Sequence, residues 1–115
     1  MTRTINDWKK VVRSLINTLA KDGFEPYRAS NGEDSIKSNH KGRLAEKICE
    51  CDEGTLNIRK GDFMATLYIV LGNEPEELVA DYGYKGGDEK ELEAALDKFS
   101  ARWEGIKCPT KEIKN

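Results

Sequence analysis

The feature that most constrains the fold is the stretch DFMATLYIVLG at residues 62–72. Its side chains alternate with a period of two residues, which is the period of a β-strand. β-Branched and aromatic residues dominate the stretch, and both favour a pleated surface. Because no charge follows Asp62 on either side, we predict an interior strand with a neighbour on each edge.

The N-terminal part of the chain predicts an amphipathic helix and then a short strand. Apolar residues recur three and four apart over residues 5–19, with Asn6 or Asp7 as the predicted N-cap and Gly23 as the stop. Residues 24–29 predict a short edge strand, because their proline cannot donate a hydrogen bond to a neighbouring strand.

The next two segments are polar and then mixed. Residues 30–41 are rich in Asn, Ser and charge, and we predict a loop there. Residues 42–50 favour a short helix, because a strand would place the charged Lys47 in the same row as Ala45 and Cys49.

Period-two patterns surround the long strand on both sides. Residues 55–60 predict a strand that turns at Gly61 into the stretch at 62–72, and residues 77–84 predict the third strand of a meander. Asp88 is then a predicted N-cap for a last amphipathic helix, which Gly105 ends.

These elements predict a two-layer α+β fold in the order α-β-α-β-β-β-α. Helices cover one face of a mostly antiparallel sheet of three to four strands. Residues 1–106 are predicted to be a single domain, and residues 107–115 a flexible C-terminal tail.

Composition narrows the classes of function. Charged residues make up 35% of the 115 residues, but the net charge is only −2, which argues against a general nucleic-acid binder. No signal peptide and no membrane-length apolar segment is recognised, and the three cysteines have no disulfide spacing. We therefore predict a cytoplasmic protein with reduced thiols.

Cysteine and histidine could in principle form a zinc site. The available ligands would be Cys49, Cys51, Cys108 and the only histidine, His40. No second metal-binding cysteine pair exists, and buried free cysteine is common in cores. We predict inert thiols, no metal and no cofactor.

Carboxylates are concentrated at residues 73–93, where eight acidic residues stand against two lysines, a net charge of −6. Several of them begin the last helix, where the helix dipole favours acidic side chains. Contact with a basic partner is therefore favoured over metal binding, and the predicted binding residues of this acidic segment are Glu74, Glu76 and Glu77.

The sheet face opposite the helices is the second candidate. Alternation with the inward-facing Leu67 and Ile58 places polar and apolar side chains together there. The predicted binding residues of this open face are Arg59, Asn57, Tyr68, Met64 and Asp81.

Three stretches resemble small uncharacterised proteins carried by phages and plasmids. They are VLGNEPEE at residues 70–77, LEAALDKFSARWEG at residues 92–105 and the pair Cys108-Pro109. The resemblance implies a bacterial or phage cytoplasm and an accessory protein that acts by binding. It implies no activity and assigns no residue roles.

Together these observations predict a non-enzymatic accessory binding module that acts through protein–protein contacts. The partner is a protein, with a basic surface or a second copy of the chain as alternatives. Two other functions stay open: a small metal-dependent hydrolase using the clustered carboxylates, and a nucleic-acid-associated regulator using Lys9, Lys10, Arg13 and Lys21 of the first helix.

Overall fold

The computed structural model describes residues 4–72 and 74–104, with side chains from residue 8 onwards. It confirms the α+β class. The elements in chain order are α1 (Thr4–Lys21), β1 (Glu25–Ser30), β2 (Ser35–Lys37), α2 (Lys41–Ile48), β3 (Glu53–Lys60), β4 (Phe63–Val70), a 3-10 helix (Pro75–Glu77), β5 (Val79–Lys85) and α3 (Lys90–Trp103).

The strands form one antiparallel sheet in the order β2-β1-β3-β4-β5. Strand β4 pairs with β3 on one edge and with β5 on the other, so the prediction of an interior strand is confirmed. A two-residue turn, Gly61-Asp62, joins β3 to β4 as the sequence predicts.

The described part of the chain has five strands, where three to four were predicted, because the predicted loop at residues 30–41 contains β2. Asn31 builds the turn before it: its side-chain oxygen accepts hydrogen bonds from the backbone N–H of Glu33 and Asp34, both at 2.8 Å. Strand β2 has a single apolar residue, Ile36, so it has no hydrophobic pattern for sequence reasoning to detect.

Strand β1 lies inside the sheet, so its prediction as an edge strand is wrong. It pairs with β2 on one side and with β3 on the other. The register shifts between Pro26 and Arg28, which leaves Tyr27 as the extra residue of a bulge. A bulge is one of the few places where an interior strand tolerates proline.

The core lies between one face of the sheet and the three helices. Its fully buried side chains include Leu15 and Ile16 of α1, Leu44 of α2, and Leu67 of β4. Trp103 of α3 also donates a hydrogen bond from Nε1 to Ser14 Oγ of α1 at 2.8 Å. The predicted two-layer packing is therefore present in the described residues.

Helix boundaries differ from the prediction by a few residues. Helix α1 begins at Thr4, upstream of the predicted caps Asn6 and Asp7, and it is followed by Gly23 with φ of 92°, as expected for a helix stop. Helix α3 begins at Lys90 with Glu89 at its N-cap position, one residue after the predicted cap Asp88. The Asp88 side chain still binds the start of the helix, because its Oδ1 accepts a hydrogen bond from the Lys90 N–H at 2.7 Å. The predicted stop at Gly105 and the tail at 107–115 lie outside the described residues.

The last strand is shorter than predicted. The chain first forms the 3-10 helix Pro75–Glu77, with Pro75 buried, and β5 begins only at Val79. A second register shift in β5 pairs Val79 with Ile69 and Asp81 with Tyr68. Regular alternation along residues 77–84 predicts that Val79 shares the open face with Asp81. The register shift instead turns Val79 towards the core.

Candidate binding surface

The open face of the sheet can be mapped from the strand register. One row across the sheet contains Lys37, Arg28, Asn57, Thr66 and Gly83. A second row contains Ser35, Ser30, Thr55, Tyr68 and Asp81, and a third contains Glu25, Arg59, Met64 and Lys85. The five predicted open-face residues thus occupy neighbouring strands on one surface.

Arg59 lies between two side chains of β1. Its Nε donates a hydrogen bond to Glu25 Oε1 at 3.3 Å, and its guanidinium carbon lies 4.9 Å from the ring centroid of Tyr27. The face of an aromatic ring attracts a cation at this distance. Sequence reasoning missed Tyr27; the signal that could have found it is Pro26, because proline within an interior strand indicates a bulge.

The centre of the open face is a shallow depression of about 330 Å³. Asn57 donates a hydrogen bond from Nδ2 to Thr66 Oγ1 at 2.9 Å on its floor. Gly83 contributes no side chain, and a Cβ atom built on it would have nothing within 4 Å. Tyr27, Met64, Tyr68 and Lys85 surround the depression, and it is also bordered by Ala65 and Tyr84, a pair whose side chains alternate to the other side of the sheet.

Tyr68 is the most exposed large apolar side chain of the described residues, at 48%, and Met64 beside it is half-buried. The only other exposed large apolar side chain there is Tyr84, at 45%, which stacks on Phe63 at a centroid distance of 5.8 Å. The register pairs Tyr84 with the core residue Ala65, so its side chain lies on the helix side of the sheet. Two tyrosines of similar exposure therefore mark opposite faces.

Asp81 is exposed beside Tyr68 at the end of the second row. Its Oδ1 accepts a hydrogen bond from the backbone N–H of the next residue, Tyr82, at 2.8 Å. The carboxylate is thus bent towards the edge of β5 and is not directed over the centre of the open face.

The predicted acidic segment lies apart from the open face. Glu76 accepts a hydrogen bond at its backbone oxygen from Ser100 Oγ of α3 at 3.2 Å, so the segment is tied to the helix layer. Glu74 and Glu76 are half-buried, and Glu77 is exposed. The two candidate surfaces are therefore distinct, and they meet where Glu76 and Asp81 line one groove.

Two of the candidate zinc ligands have structural roles, since Cys49 packs in the core and His40 caps a helix. Cys49 is buried, and this desolvation raises the pKa of its thiol to about 12, partly offset by Lys9. His40 caps α2 by accepting a hydrogen bond at Nδ1 from the Arg43 N–H at 3.3 Å. Within residues 4–72 and 74–104, no three metal-ligating side chains gather at one place. Cys108 lies outside those residues.

Carboxylates near the start of α3 contribute to a raised pKa at two tyrosines, Tyr82 and Tyr84. The Tyr82 hydroxyl donates to Glu89 Oε1 at 2.9 Å and lies 3.3 Å from Glu93 Oε2. Burial raises the pKa of Tyr82, and these two carboxylates raise it further. Glu89 is likewise the main cause of a raised pKa at Tyr84.

The basic side chains of α1 predicted for nucleic-acid contact are present on its outer side. Lys10, Arg13 and Lys21 are exposed, whereas Lys9 is half-buried and lies 3.6 Å from a carboxylate oxygen of Glu46. In the described part of the chain, no helix is long and apolar enough to cross a membrane.

No family model, no curated protein and no solved structure matches the chain. The resemblance to phage and plasmid proteins therefore stays a prediction.

Proposed function

We propose that the protein is a non-enzymatic binding module that contacts a protein partner through the open face of its sheet. The observation that carries the proposal is the exposure of Tyr68 at 48% beside Met64 and Arg59, on a face that no described element covers. Tyrosine, methionine and arginine are enriched where proteins touch one another, because each combines a large area with adaptable or polar contacts.

Two acidic groups on this face already have structural partners. Glu25 accepts a hydrogen bond from Arg59, and Asp81 accepts one from the Tyr82 backbone. Both are exposed, so neither carboxylate lies in the kind of desolvated pocket that tunes a catalytic group. This supports binding over catalysis on the open face.

The size of the face bears on the kind of contact. With the strand lengths given above, a spacing of about 4.8 Å between strands and a rise of about 3.3 Å per residue give the open face a planar area of roughly 500 Å². Stable complexes bury about 800 Å² on each partner, so the face alone suits a transient contact. The resemblance of residues 70–77 and 92–105 to phage and plasmid proteins supports the proposal of an accessory protein in a bacterial or phage cytoplasm.

The test compares three forms of the full chain as bait in a bacterial lysate. The double variant Tyr68→Ala, Arg59→Ala removes the two largest contact groups of the face. The matched control is Tyr84→Ala, which removes a tyrosine of nearly equal exposure from the opposite side of the sheet. The expected result is a captured protein, or a self-associated form in sedimentation, that the control retains and the double variant loses.

Folding of the variants is measured alongside. The Arg59–Glu25 pair is exposed, and such pairs contribute less than about 1 kcal/mol, so the double variant should melt close to the wild type. A folded double variant that retains every partner would contradict the proposal. An unfolded one would also contradict it, because the open face would then be needed for the core.

A further inference from the structure

The outer edge of β5 is the longest free strand edge in the described part of the chain. Strand β5 ends the sheet and has seven residues, whereas β2 at the other edge has three. An edge strand presents unpaired backbone N–H and C=O groups, and it can pair with a further strand. All its residues are exposed or half-buried.

A groove of about 180 Å³ runs beside this edge, between β5 and α3. Val79, Leu96 and Phe99 give it an apolar floor, and Glu76 and Asp81 also line it. A strand edge beside an apolar groove is the arrangement in which an added strand gains affinity from its backbone and specificity from its side chains.

The charge around the edge is negative on balance, although β5 ends in Lys85. Asp81 stands on β5 itself, Glu76 precedes it, and Glu89 and Glu93 meet the Tyr82 hydroxyl from the first turns of α3. A second copy of β5 would bring an edge of the same net negative charge beside this one, and like charges across neighbouring strands are destabilising. The charge therefore favours a basic segment of another protein over self-pairing through β5.

The register shows which backbone groups of β5 point away from the sheet. On the inner side the Val70 N–H of β4 donates to the Leu78 oxygen at 3.0 Å, and Asp81 pairs with Tyr68 of β4. The next residue, Tyr82, points its N–H away from β4, where Asp81 Oδ1 accepts from it at 2.8 Å. An added strand can replace this acceptor with a backbone carbonyl and free the carboxylate for a lysine or arginine.

We propose that β5 and its groove bind an extended peptide segment in which lysine or arginine alternates with apolar residues. The segment adds as a sixth strand beside β5, with its apolar side chains on Val79 and Leu96 and its basic side chains on the other side of the added strand, towards Asp81. This inference rests on the proposed function in that the protein acts by binding protein, but it assigns a further surface, which shares Asp81 with the open face, and a partner chemistry.

The probe is a synthetic peptide of alternating lysine and valine, about eight residues long to match β5. Nuclear magnetic resonance of the full chain is expected to show shifts at residues 79–85 and at Leu96, and none at Asn57 or Thr66. Methylating alternate backbone nitrogens of the peptide should abolish binding, because it removes the donors of an added strand. A peptide with glutamate in place of lysine should not bind.

Charge reversal at the edge gives the quantitative test. Asp81→Lys should weaken the lysine–valine peptide by about fivefold or more, since a close pair of opposite charges is replaced by like charges. Glu33→Lys is the matched control, an exposed acid-to-lysine change in the turn between β1 and β2, and it should leave binding unchanged. Should Asp81→Lys not fold, Asp81→Asn keeps an oxygen for the Tyr82 N–H and should still weaken binding.

Several outcomes would overturn the inference. They are no binding of the lysine–valine peptide, equal binding of the methylated or glutamate peptide, and shifts confined to the open face. If the peptide fails while partner capture still depends on Tyr68 and Arg59, this inference is wrong and the proposed function stands. If the peptide binds at β5 while partner capture does not depend on Tyr68 and Arg59, the inference stands and the open face is not the contact surface.

Discussion

The guanidinium carbon of Arg59 lies 4.9 Å from the ring centroid of Tyr27, across two neighbouring strands of the open face. The contact exists because a bulge in β1 leaves Tyr27 as an extra residue beside β3. It holds Arg59 over the sheet together with the hydrogen bond to Glu25. Arg59 is therefore a positioned group, which lowers the conformational entropy that a partner must remove on binding.

The first prediction concerns the core that supports this face. Leu67→Ala or Ile69→Ala should lower the free energy of unfolding by about 2–5 kcal/mol, because each leaves a cavity beneath β4. Lys10→Ala is the control and should stay within about 0.5 kcal/mol, because Lys10 is exposed on α1. Urea denaturation of the three variants checks the order, and a larger loss for Lys10→Ala would contradict the core assignment.

The second prediction compares two glycines. A Cβ atom at Gly54 would clash with the backbone oxygen of Ser30, so Gly54→Ala should cost about 1–3 kcal/mol. Gly83→Ala meets open space on a strand and should be neutral or gain up to about 1 kcal/mol. Thermal denaturation checks both, and equal losses for the two variants would contradict the packing described here.

The third prediction concerns pH. Burial raises the pKa of Cys49 to about 12 from an ordinary value of 9.0, so the folded protein favours the neutral thiol. The stabilisation is complete below pH 9 and is lost as the pH rises towards 12. Urea denaturation at about pH 7 and about pH 10.5 should show a smaller loss in Cys49→Ala than in the wild type.

Tyr82 contributes to the same measurement in the same direction. Its pKa is also raised, so both the wild type and Cys49→Ala should lose some stability at high pH. The difference between them isolates the thiol. An identical loss in the two proteins would show that Cys49 is not desolvated as its burial indicates.

The sequence predicted the helices and strands that have a strong hydrophobic periodicity. It did not predict β2, which forms only because it pairs with a neighbouring strand. The alternation of β4 and the apolar stripes of α1 and α3 are visible in the sequence because burial selects those side chains. Strand β2 has only Ile36 to bury and exists because the Asn31 turn brings it against β1. No local pattern records that pairing.

The open face shows the same limit. Alternation placed Arg59, Asn57, Met64 and Tyr68 together without further information, because β3 and β4 pair without a register shift. It misplaced Val79, since a shift in β5 changes which residues share a face, and it missed Tyr27 for the same reason in β1. Bulges depend on the partner strand, so a single strand's pattern does not reveal them.

The most direct test of the account is hydroxyl-radical footprinting of the protein with and without its captured partner. Met64 and Tyr68 oxidise readily and lie on the open face, while Tyr84 reports on the opposite side of the sheet at similar exposure. The partner is expected to protect Met64 and Tyr68 and to leave the oxidation of Tyr84 unchanged. Equal oxidation of Met64 and Tyr68 in the free and bound protein would contradict it.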